Sequence, residues 1–171
     1  FLSALSDIIL DLTVTLCWRK IKTRHRDEPR FAVLAYGKLG GKELGYASDL
    51  DLVYLYDDDD QDAPENYTRL GQRLNSWLSS QTPAGILFET DLRLRPNGDS
   101  GLLAVSVESF RDYELKNAWT WEHQALTRAR FCAGDPDVGR RFEEIRCEIL
   151  RLPRELAKLK EEVVAMRHKM Y

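Results

Sequence analysis

Two short, almost wholly apolar runs lie on either side of a glycine-rich turn, and this arrangement constrains the fold more than any other feature. Residues 31–36 read Phe-Ala-Val-Leu-Ala-Tyr, and residues 50–56 are rich in leucine, valine and tyrosine. Both runs have the length and the residue types of buried strands rather than helices. The turn between them, residues 37–41, contains three glycines. The sequence therefore predicts a sheet whose central strands are joined through this turn.

Apolar residues recur at helical spacing on both sides of this centre, and some shorter runs have the composition of strands. The resulting prediction is α+β, a sheet with helices packed on it that continues into a C-terminal helical bundle. We expect residues 1–116 to form the main domain, including an N-terminal helix, and residues 117–171 to form a helical extension packed on it. The predicted helices cover 4–24, 67–78, 107–116, 119–130, 138–149 and 156–170, and further strands cover 86–94 and 102–105.

The composition of the 171-residue chain narrows the classes of function. The net charge is −3, so no sequence-wide basic field attracts nucleic acid, and no apolar run reaches the roughly 18 residues of a membrane span. The three cysteines are odd in number and far apart, which predicts neither disulfides nor a zinc site and favours a reducing cytoplasm. Because the chain begins at Phe1 and ends within a helical pattern, we expect it to be part of a longer protein.

Two aspartates at the start of the second strand carry the strongest chemical signal. Side chains alternate along a strand, so Asp49 and Asp51 point to one face while Leu50 and Leu52 point to the core. Two carboxylates about 7 Å apart repel each other, and a divalent cation between them removes that penalty. Taken alone, such a pair is equally compatible with a solvated strand end. Hard oxygen ligands on a rigid strand favour Mg²⁺.

Gly40 and Gly41 come eight residues before this pair. Glycines let backbone N–H groups approach an anion closely, so we expect this turn to hold phosphate beside the metal. The sequence is not a P-loop, since Lys38 precedes the glycine pair and no Gly-Lys-Ser/Thr follows. Lys38 is either a phosphate contact or a solvated lysine.

A third element follows in the strand predicted over 86–94. There Asp91, Arg93 and Arg95 are expected to share one face. Asp91 is the candidate third carboxylate, as a metal ligand or as the acceptor of the proton of an attacking hydroxyl. Arg93 and Arg95 are candidates for holding phosphate oxygens by paired hydrogen bonds.

Other conspicuous residues have simpler interpretations. The acidic run 57–60 lacks the glycine and glutamate of a calcium loop, so we expect a solvated hairpin end. His123 is expected to be a hydrogen-bonded helix histidine rather than a general base. Trp119 and Trp121 are expected to pack in the core or between helices rather than to stack on a base. Arg128 and Arg130 are expected to be solvated or salt-bridged.

The chain resembles the bacterial glutamine synthetase adenylyltransferases, the bifunctional adenylylating and deadenylylating enzymes of nitrogen control, over nearly its full length. The resemblance is carried by residues 37–52, by Asp91-Leu-Arg-Leu-Arg-Pro96, by residues 117–125 and by Arg128-Ala-Arg130. Tyr36-Gly-Lys-Leu-Gly-Gly41 and residues 118–124 are similar to the C-terminal, adenylylating copy of the two catalytic domains.

The resemblance implies the polymerase-β-like nucleotidyltransferase fold with a mixed sheet. In that fold Asp49, Asp51 and Asp91 match the three carboxylates that hold two Mg²⁺ ions, for which Mn²⁺ can substitute. It further implies that Gly40, Gly41 and Ser48 line the phosphates of ATP. The implied reaction transfers AMP from ATP to a tyrosine hydroxyl of glutamine synthetase, and the longer enzyme responds to a PII-type signal protein.

Two rival interpretations remain open. The first is the opposite reaction, phosphorolytic removal of AMP from the adenylylated tyrosine, which uses the same active-site groups. The second is a catalytically silent nucleotide-binding or partner-binding module, against which three aligned carboxylates argue.

Overall fold

The two apolar runs form the central strands of the sheet, as the sequence predicts. The computed structural model describes residues 1–170, without the side chains at 158, 169 and 170. Strand β1 (Phe31–Ala35) pairs antiparallel with β2 (Leu50–Tyr56), in a register that runs from Phe31 opposite Tyr56 to Ala35 opposite Leu52. Every residue of β1 is buried, because both faces of this strand are covered.

Three further strands complete a mixed sheet. Strands β3 (Thr90–Asp91) and β4 (Ala104–Ser106) both pair in parallel with β2, beside different parts of its length. Strand β5 (Arg130–Gly134) pairs antiparallel with β1 on the other side. The order is β3-β2-β1-β5, with β4 also on β2. The expectation of a mixed sheet is confirmed, and the architecture is consistent with a nucleotidyltransferase fold.

The helices cover the two faces of this sheet. In chain order they are α1 (Leu2–Arg19), α2 (Gly37–Gly40), α3 (Ala63–Ser79), α4 (Val107–Lys116), α5 (Thr120–Leu126), α6 (Pro136–Leu150) and α7 (Leu156–Met170). Local signals fix several helix starts: the Ser106 side chain accepts a hydrogen bond from the Ser109 N–H before α4, and Asp135 accepts one from the Asp137 N–H before α6. The predicted helices 107–116 and 156–170 are confirmed.

Each face of the sheet has its own hydrophobic core. On one face α1 and α3 pack against alternate strand residues, including Val33, Leu52 and Tyr54. On the other face α4, α5 and α6 pack against the strand residues that alternate with these, such as Leu34 and Val53. Burial on both faces explains why the two central strands read as continuous apolar runs rather than as alternating ones.

The C-terminal third differs from the prediction. The predicted helix 119–130 ends at Leu126, and residues 130–134 instead form β5 beside β1. No C-terminal helical bundle is evident in the part of the chain that the structure describes, because α6 packs on the sheet and α7 packs against α5. The division of the chain at residues 116 and 117 stays a prediction.

The predicted strand 86–94 is also wrong for most of its length. Only Thr90 and Asp91 pair with β2, and the chain turns immediately afterwards. The cause is local, because the Asp91 carboxylate accepts the backbone N–H of Arg93 at 2.9 Å, which closes an Asx turn and ends the strand.

Two expectations about individual side chains are wrong as well. Trp119 and Trp121 do not belong to either core, and 70% of the surface of Trp119 is exposed. The acidic run 57–60 follows a strand that leads into α3 rather than a hairpin, and Asp58 is not solvated. Its side chain is 1% exposed and accepts hydrogen bonds from Tyr67 at 2.7 Å and Arg26 at 2.9 Å.

Among the described residues, no helix has both the length and the apolar character needed to cross a bilayer.

Candidate active site

The pairing of β2 with β3 brings the three predicted carboxylates together. The parallel register sets Asp51 directly opposite Asp91, so their side chains lie next to each other. Asp49 precedes β2 by one residue and lies on the same side as Asp51. One carboxylate oxygen from each of the three aspartates lies within 4.8 Å of the others. The convergence that alternation along the two strands predicts is therefore present.

Of the three aspartates, Asp51 has the environment that is least favourable for a negative charge. Partial burial raises the pKa of the Asp51 carboxyl, and the neighbouring charges of Asp49 and Asp91 raise it further. Lys38 and Arg93 offset part of this effect. A site that crowds three carboxylates against partial burial destabilises their charged forms unless cations balance them.

Arg93 provides one such cation, but at a position that the sequence analysis did not expect. Its guanidinium donates from Nε to both oxygens of Asp91, at 3.1 and 3.0 Å, and this hydrogen bonding holds the pKa of the Asp91 carboxyl below its usual value. The Arg93 side chain is 73% exposed, so little packing holds it there. Arg93 and Asp91 therefore form an ion pair across the turn rather than sharing a strand face.

Gly37 is a site residue that the sequence analysis missed. Its φ is +52°, and a Cβ atom added there would lie 2.1 Å from Oδ2 of Asp51. The absence of a side chain thus makes room for the Asp51 carboxylate. The neighbouring Tyr36 N–H donates to the Asp51 carbonyl at 2.9 Å, which extends the antiparallel pairing to this point. The sequence does contain a signal for the role of Gly37, because this glycine lies two residues beyond β1 and opposite the acidic start of β2.

Gly40 and Gly41 have a packing environment different from the one expected. Both belong to the short turn of α2 and its end, where the Gly40 N–H donates to Tyr36 and the Gly41 N–H donates to Gly37. A Cβ atom on Gly40 would lie 1.9 Å from the backbone oxygen of Arg128. These amide groups are engaged within α2, so the expected cradle of glycine N–H groups is not formed here. A role of the two residues in nucleotide binding stays a prediction.

The remaining predicted nucleotide ligands lie around the triad in different environments. Lys38 is exposed and close enough to affect the pKa of Asp51. Ser48 accepts a hydrogen bond from the Gly45 N–H at 3.1 Å, which fixes the loop before Asp49. The Arg95 side chain is mostly buried, donates to the Leu92 carbonyl at 2.7 Å and pairs with Asp99, so it supports the turn after β3.

The donor set of the triad fits a divalent cation. Carboxylate oxygens are the ligands that Mg²⁺ and Mn²⁺ bind in proteins, and three of them converge here. The same residues offer no histidine or cysteine, which disfavours zinc. A cavity of about 620 Å³ lies between α3 and the segment that follows α1, but none of the predicted site residues lines it.

Three other candidates have structural partners. The His123 ring bonds to the Glu114 carbonyl at 2.8 Å, which confirms a hydrogen-bonded helix histidine. Arg128 pairs with Glu43 at 2.7 Å and Arg130 pairs with Asp7 at 2.9 Å, as expected for salt-bridged residues.

A mixed sheet with three converging carboxylates beside its edge strand is consistent with the nucleotidyltransferase class of proteins. The comparison with known families makes this specific. The sequence model of the glutamate-ammonia ligase adenylyltransferase family matches residues 1–145, and the chain belongs to that family.

Several similar proteins share one name. The chain is 71% identical over 169 residues to the bifunctional glutamine synthetase adenylyltransferase/adenylyl-removing enzyme of Aromatoleum aromaticum. It is 58% identical to the protein of that name from Ralstonia nicotianae and 59% identical to the one from Nitrosomonas eutropha. Each match covers 99% of this chain but 18% of the relative, so the chain spans about a fifth of the length of these enzymes.

Proposed function

We propose that this chain carries a metal-dependent nucleotidyltransferase site that moves AMP from ATP to a tyrosine hydroxyl of glutamine synthetase and releases pyrophosphate. One observation carries the proposal: the carboxylates of Asp49, Asp51 and Asp91 converge to within 4.8 Å. Membership of the adenylyltransferase family supports it. The names of the relatives give glutamine synthetase as the protein on which those enzymes act.

In this proposal the three aspartates would hold two Mg²⁺ ions, or Mn²⁺ in their place. When bound, the ions would supply charge neutralisation for an in-line attack at phosphorus. Asp49, Asp51 and Asp91 would hold the ions, and Asp91 would also accept the proton of the tyrosine hydroxyl. The hydroxyl oxygen forms a bond to the α-phosphorus as the bond from that phosphorus to the pyrophosphate oxygen breaks.

The ion pair between Asp91 and Arg93 has a consequence for this step. A carboxylate whose pKa is lowered is a weak base, so Asp91 accepts a proton poorly while the guanidinium is bound to it. Because Arg93 is exposed, its side chain is free to turn toward a triphosphate, which releases both Asp91 oxygens. We therefore propose that Arg93 exchanges Asp91 for phosphate oxygens when the nucleotide binds.

The other nucleotide contacts follow from charge and position. Lys38 is the second cation beside Asp51 and is proposed to contact the phosphates. Ser48 precedes the triad and is proposed to line them as well. Gly40 and Gly41 keep the α2 turn close to the site, and Arg95 holds the turn that carries Arg93, so these three residues are proposed to act on the nucleotide through their neighbours.

Replacing Asp49 and Asp51 with asparagine tests the site. We expect transfer of labelled AMP to fall by about a hundredfold or more, because the charges that hold the ions are removed. Mg²⁺ or Mn²⁺ should raise the melting temperature of the unmodified protein but not of the variant, since only a protein that binds the ion is stabilised by it. Asp59→Asn, which changes an exposed aspartate outside the triad, is the control. Full activity in the double variant would reject this site.

The reverse reaction is the second candidate, because the relatives are named for both adenylyl transfer and adenylyl removal. The triad serves either direction, so the substrates decide between them. Incubation with adenylylated glutamine synthetase and phosphate should release no ADP if the chain is the transferring domain. ADP release without transfer from ATP would assign the removing activity instead. If ATP and Mg²⁺ bind in calorimetry but neither reaction proceeds, the chain is a silent binding module.

Regulation rests on the family resemblance alone. Control by a PII-type signal protein is proposed for the longer enzyme, since this chain covers 18% of its relatives. A cytoplasmic location is proposed because the three cysteines are free thiols, which suits a reducing compartment.

A further inference from the structure

A groove of about 470 Å³ opens beside the triad, and Ser48 and Asp49 are among the residues that line it. Most of its other lining residues are aliphatic or aromatic and come from α1, the loop before β2 and the segment before β3. They include Leu5, Ile9, Leu44, Tyr46, Leu87 and Phe88. Tyr46 and Leu87 are 97% and 53% exposed, so the groove presents apolar surface to an incoming molecule.

The charges around the groove indicate what it does not bind. No lysine or arginine lines it, and its charged residues are Asp49 and Glu89. A triphosphate requires cations, and the two that affect Asp51, Lys38 and Arg93, are not among the groove residues. Beyond Ser48 and Asp49, the groove therefore favours an uncharged, apolar ligand, while the polyanionic part of a nucleotide is directed to Lys38 and Arg93 beside the triad.

The walls of the groove are fixed by backbone hydrogen bonds. On one wall the Phe88 N–H donates to the Leu78 carbonyl at 3.0 Å, and the Glu89 carbonyl accepts the Leu50 N–H at 2.9 Å. On the opposite wall Ser48 holds the loop through the Gly45 N–H. A preformed apolar surface binds a partner with little loss of its own conformational entropy.

We propose that this groove receives apolar side chains of the acceptor protein next to its reacting tyrosine, and so selects which protein is modified. The inference rests on the proposed function and adds the binding site of the second substrate to it. The position of Asp49 in both the triad and the groove supports the assignment, because a segment seated in the groove brings a neighbouring hydroxyl to the carboxylates. The outer edge of β3 also has no strand partner in the described part of the chain, so an extended segment has room to lie there.

The test uses the protein as its gene encodes it, with Tyr46→Ser and Leu87→Ser made singly. Both side chains are exposed, so neither change removes core packing. Initial rates of AMP transfer are measured while glutamine synthetase and ATP are varied separately. We expect KM for glutamine synthetase to rise about tenfold in each variant, because apolar surface that is buried on binding is lost, with KM for ATP unchanged. Leu102→Ser, a change of a 65% exposed leucine outside the groove, should leave both values unchanged.

Two results would overturn the inference. A higher KM for ATP with an unchanged KM for glutamine synthetase would mean that the groove holds the adenine. Unchanged values for both substrates would mean that the groove binds neither.

A binding experiment without turnover tests this inference separately from the proposed reaction. The three serine substitutions are combined with Asp49→Asn and Asp51→Asn, and binding to immobilised glutamine synthetase is measured without turnover. Weaker binding in the Tyr46 and Leu87 variants alone supports the groove even if the unmodified protein transfers no AMP. Equal binding in all variants refutes the groove independently of catalysis.

Discussion

Substituting Gly37 with alanine should have two separable effects: a loss of stability caused by backbone strain, and a loss of activity caused by displacement of an active-site carboxylate. Gly37 has a φ of +52°, and its missing Cβ would lie 2.1 Å from Oδ2 of Asp51. Gly98 provides a matched control, because its φ is +53° while the nearest atom to an added Cβ is 3.6 Å away. Left-handed backbone costs alanine roughly 1 kcal/mol, so both substitutions should lower the free energy of unfolding by about that amount.

Only Gly37→Ala should displace the carboxylate. Ordinary van der Waals contact begins near 3.4 Å, so the Asp51 side chain must move by about 1.3 Å to accept the new methyl group. A misplacement of about 1 Å in a reacting group costs on the order of a hundredfold in rate. We therefore expect AMP transfer to fall about a hundredfold in Gly37→Ala and to stay within a few-fold of normal in Gly98→Ala.

Urea unfolding and initial rates of AMP transfer measure the two effects in the same preparations. The stabilisation of the protein by Mn²⁺ should be lost together with the rate in Gly37→Ala, because the same carboxylate serves both. If Gly37→Ala transfers AMP as fast as Gly98→Ala does, the Asp51 carboxylate tolerates the methyl group and the reasoning is wrong.

Three further predictions concern other residues. Glu114 is 4% exposed, and burial, followed by the charge of Glu122, raises the pKa of its carboxyl from 4.5 to about 8. Because the folded-state value is the higher one, the fold loses stability as the pH rises between these values, roughly 3 kcal/mol by pH 7. Urea unfolding should find Glu114→Gln more stable than the unmodified protein at pH 7, with the difference vanishing near pH 4.5. Gly40→Ala should lower the free energy of unfolding by roughly 2 kcal/mol, because its Cβ meets backbone atoms of Arg128 and Ala35. Gly41→Ala should lower it by less, since it meets only the movable end of the Arg128 side chain, and equal losses in the same titration would contradict this difference. Arg93→Ala should tighten Mn²⁺ binding in calorimetry without nucleotide and weaken ATP binding; unchanged affinities for both would remove Arg93 from the site.

The central strands and the triad were predictable because both depend on short-range patterns. The continuous apolar runs specify strands that are buried on two faces, and the alternation of Asp49 and Asp51 with Leu50 and Leu52 specifies which side chains point to the site. The leucines are fully buried, as expected. These features need no knowledge of distant partners.

What the sequence did not reveal depends on contacts between distant residues. Strand β5 has no strong strand pattern of its own, and it forms because β1 offers an open edge about a hundred residues earlier in the chain. The burial of Asp58 depends on Tyr67 and His25, which come from two other segments. The end of β3 depends on one side-chain hydrogen bond within the turn. The alternation of polar and apolar residues continues past this point, so it does not reveal where the strand ends.

The dependence of the site on a strand of two residues connects the fold to the proposed chemistry. Asp91 lies opposite Asp51 only because Thr90 and Asp91 pair with β2, a pairing that includes the hydrogen bond from the Leu50 N–H to the Glu89 carbonyl. One contact outside that pairing holds the short strand in place, because the Thr90 hydroxyl donates to Asn75 on α3. Helix α3 is itself anchored in the core beneath the sheet. The third carboxylate is therefore positioned by the packing of α3 rather than by the length of its own strand, and its distance from Asp51 should change with substitutions at Asn75 that leave the triad itself intact.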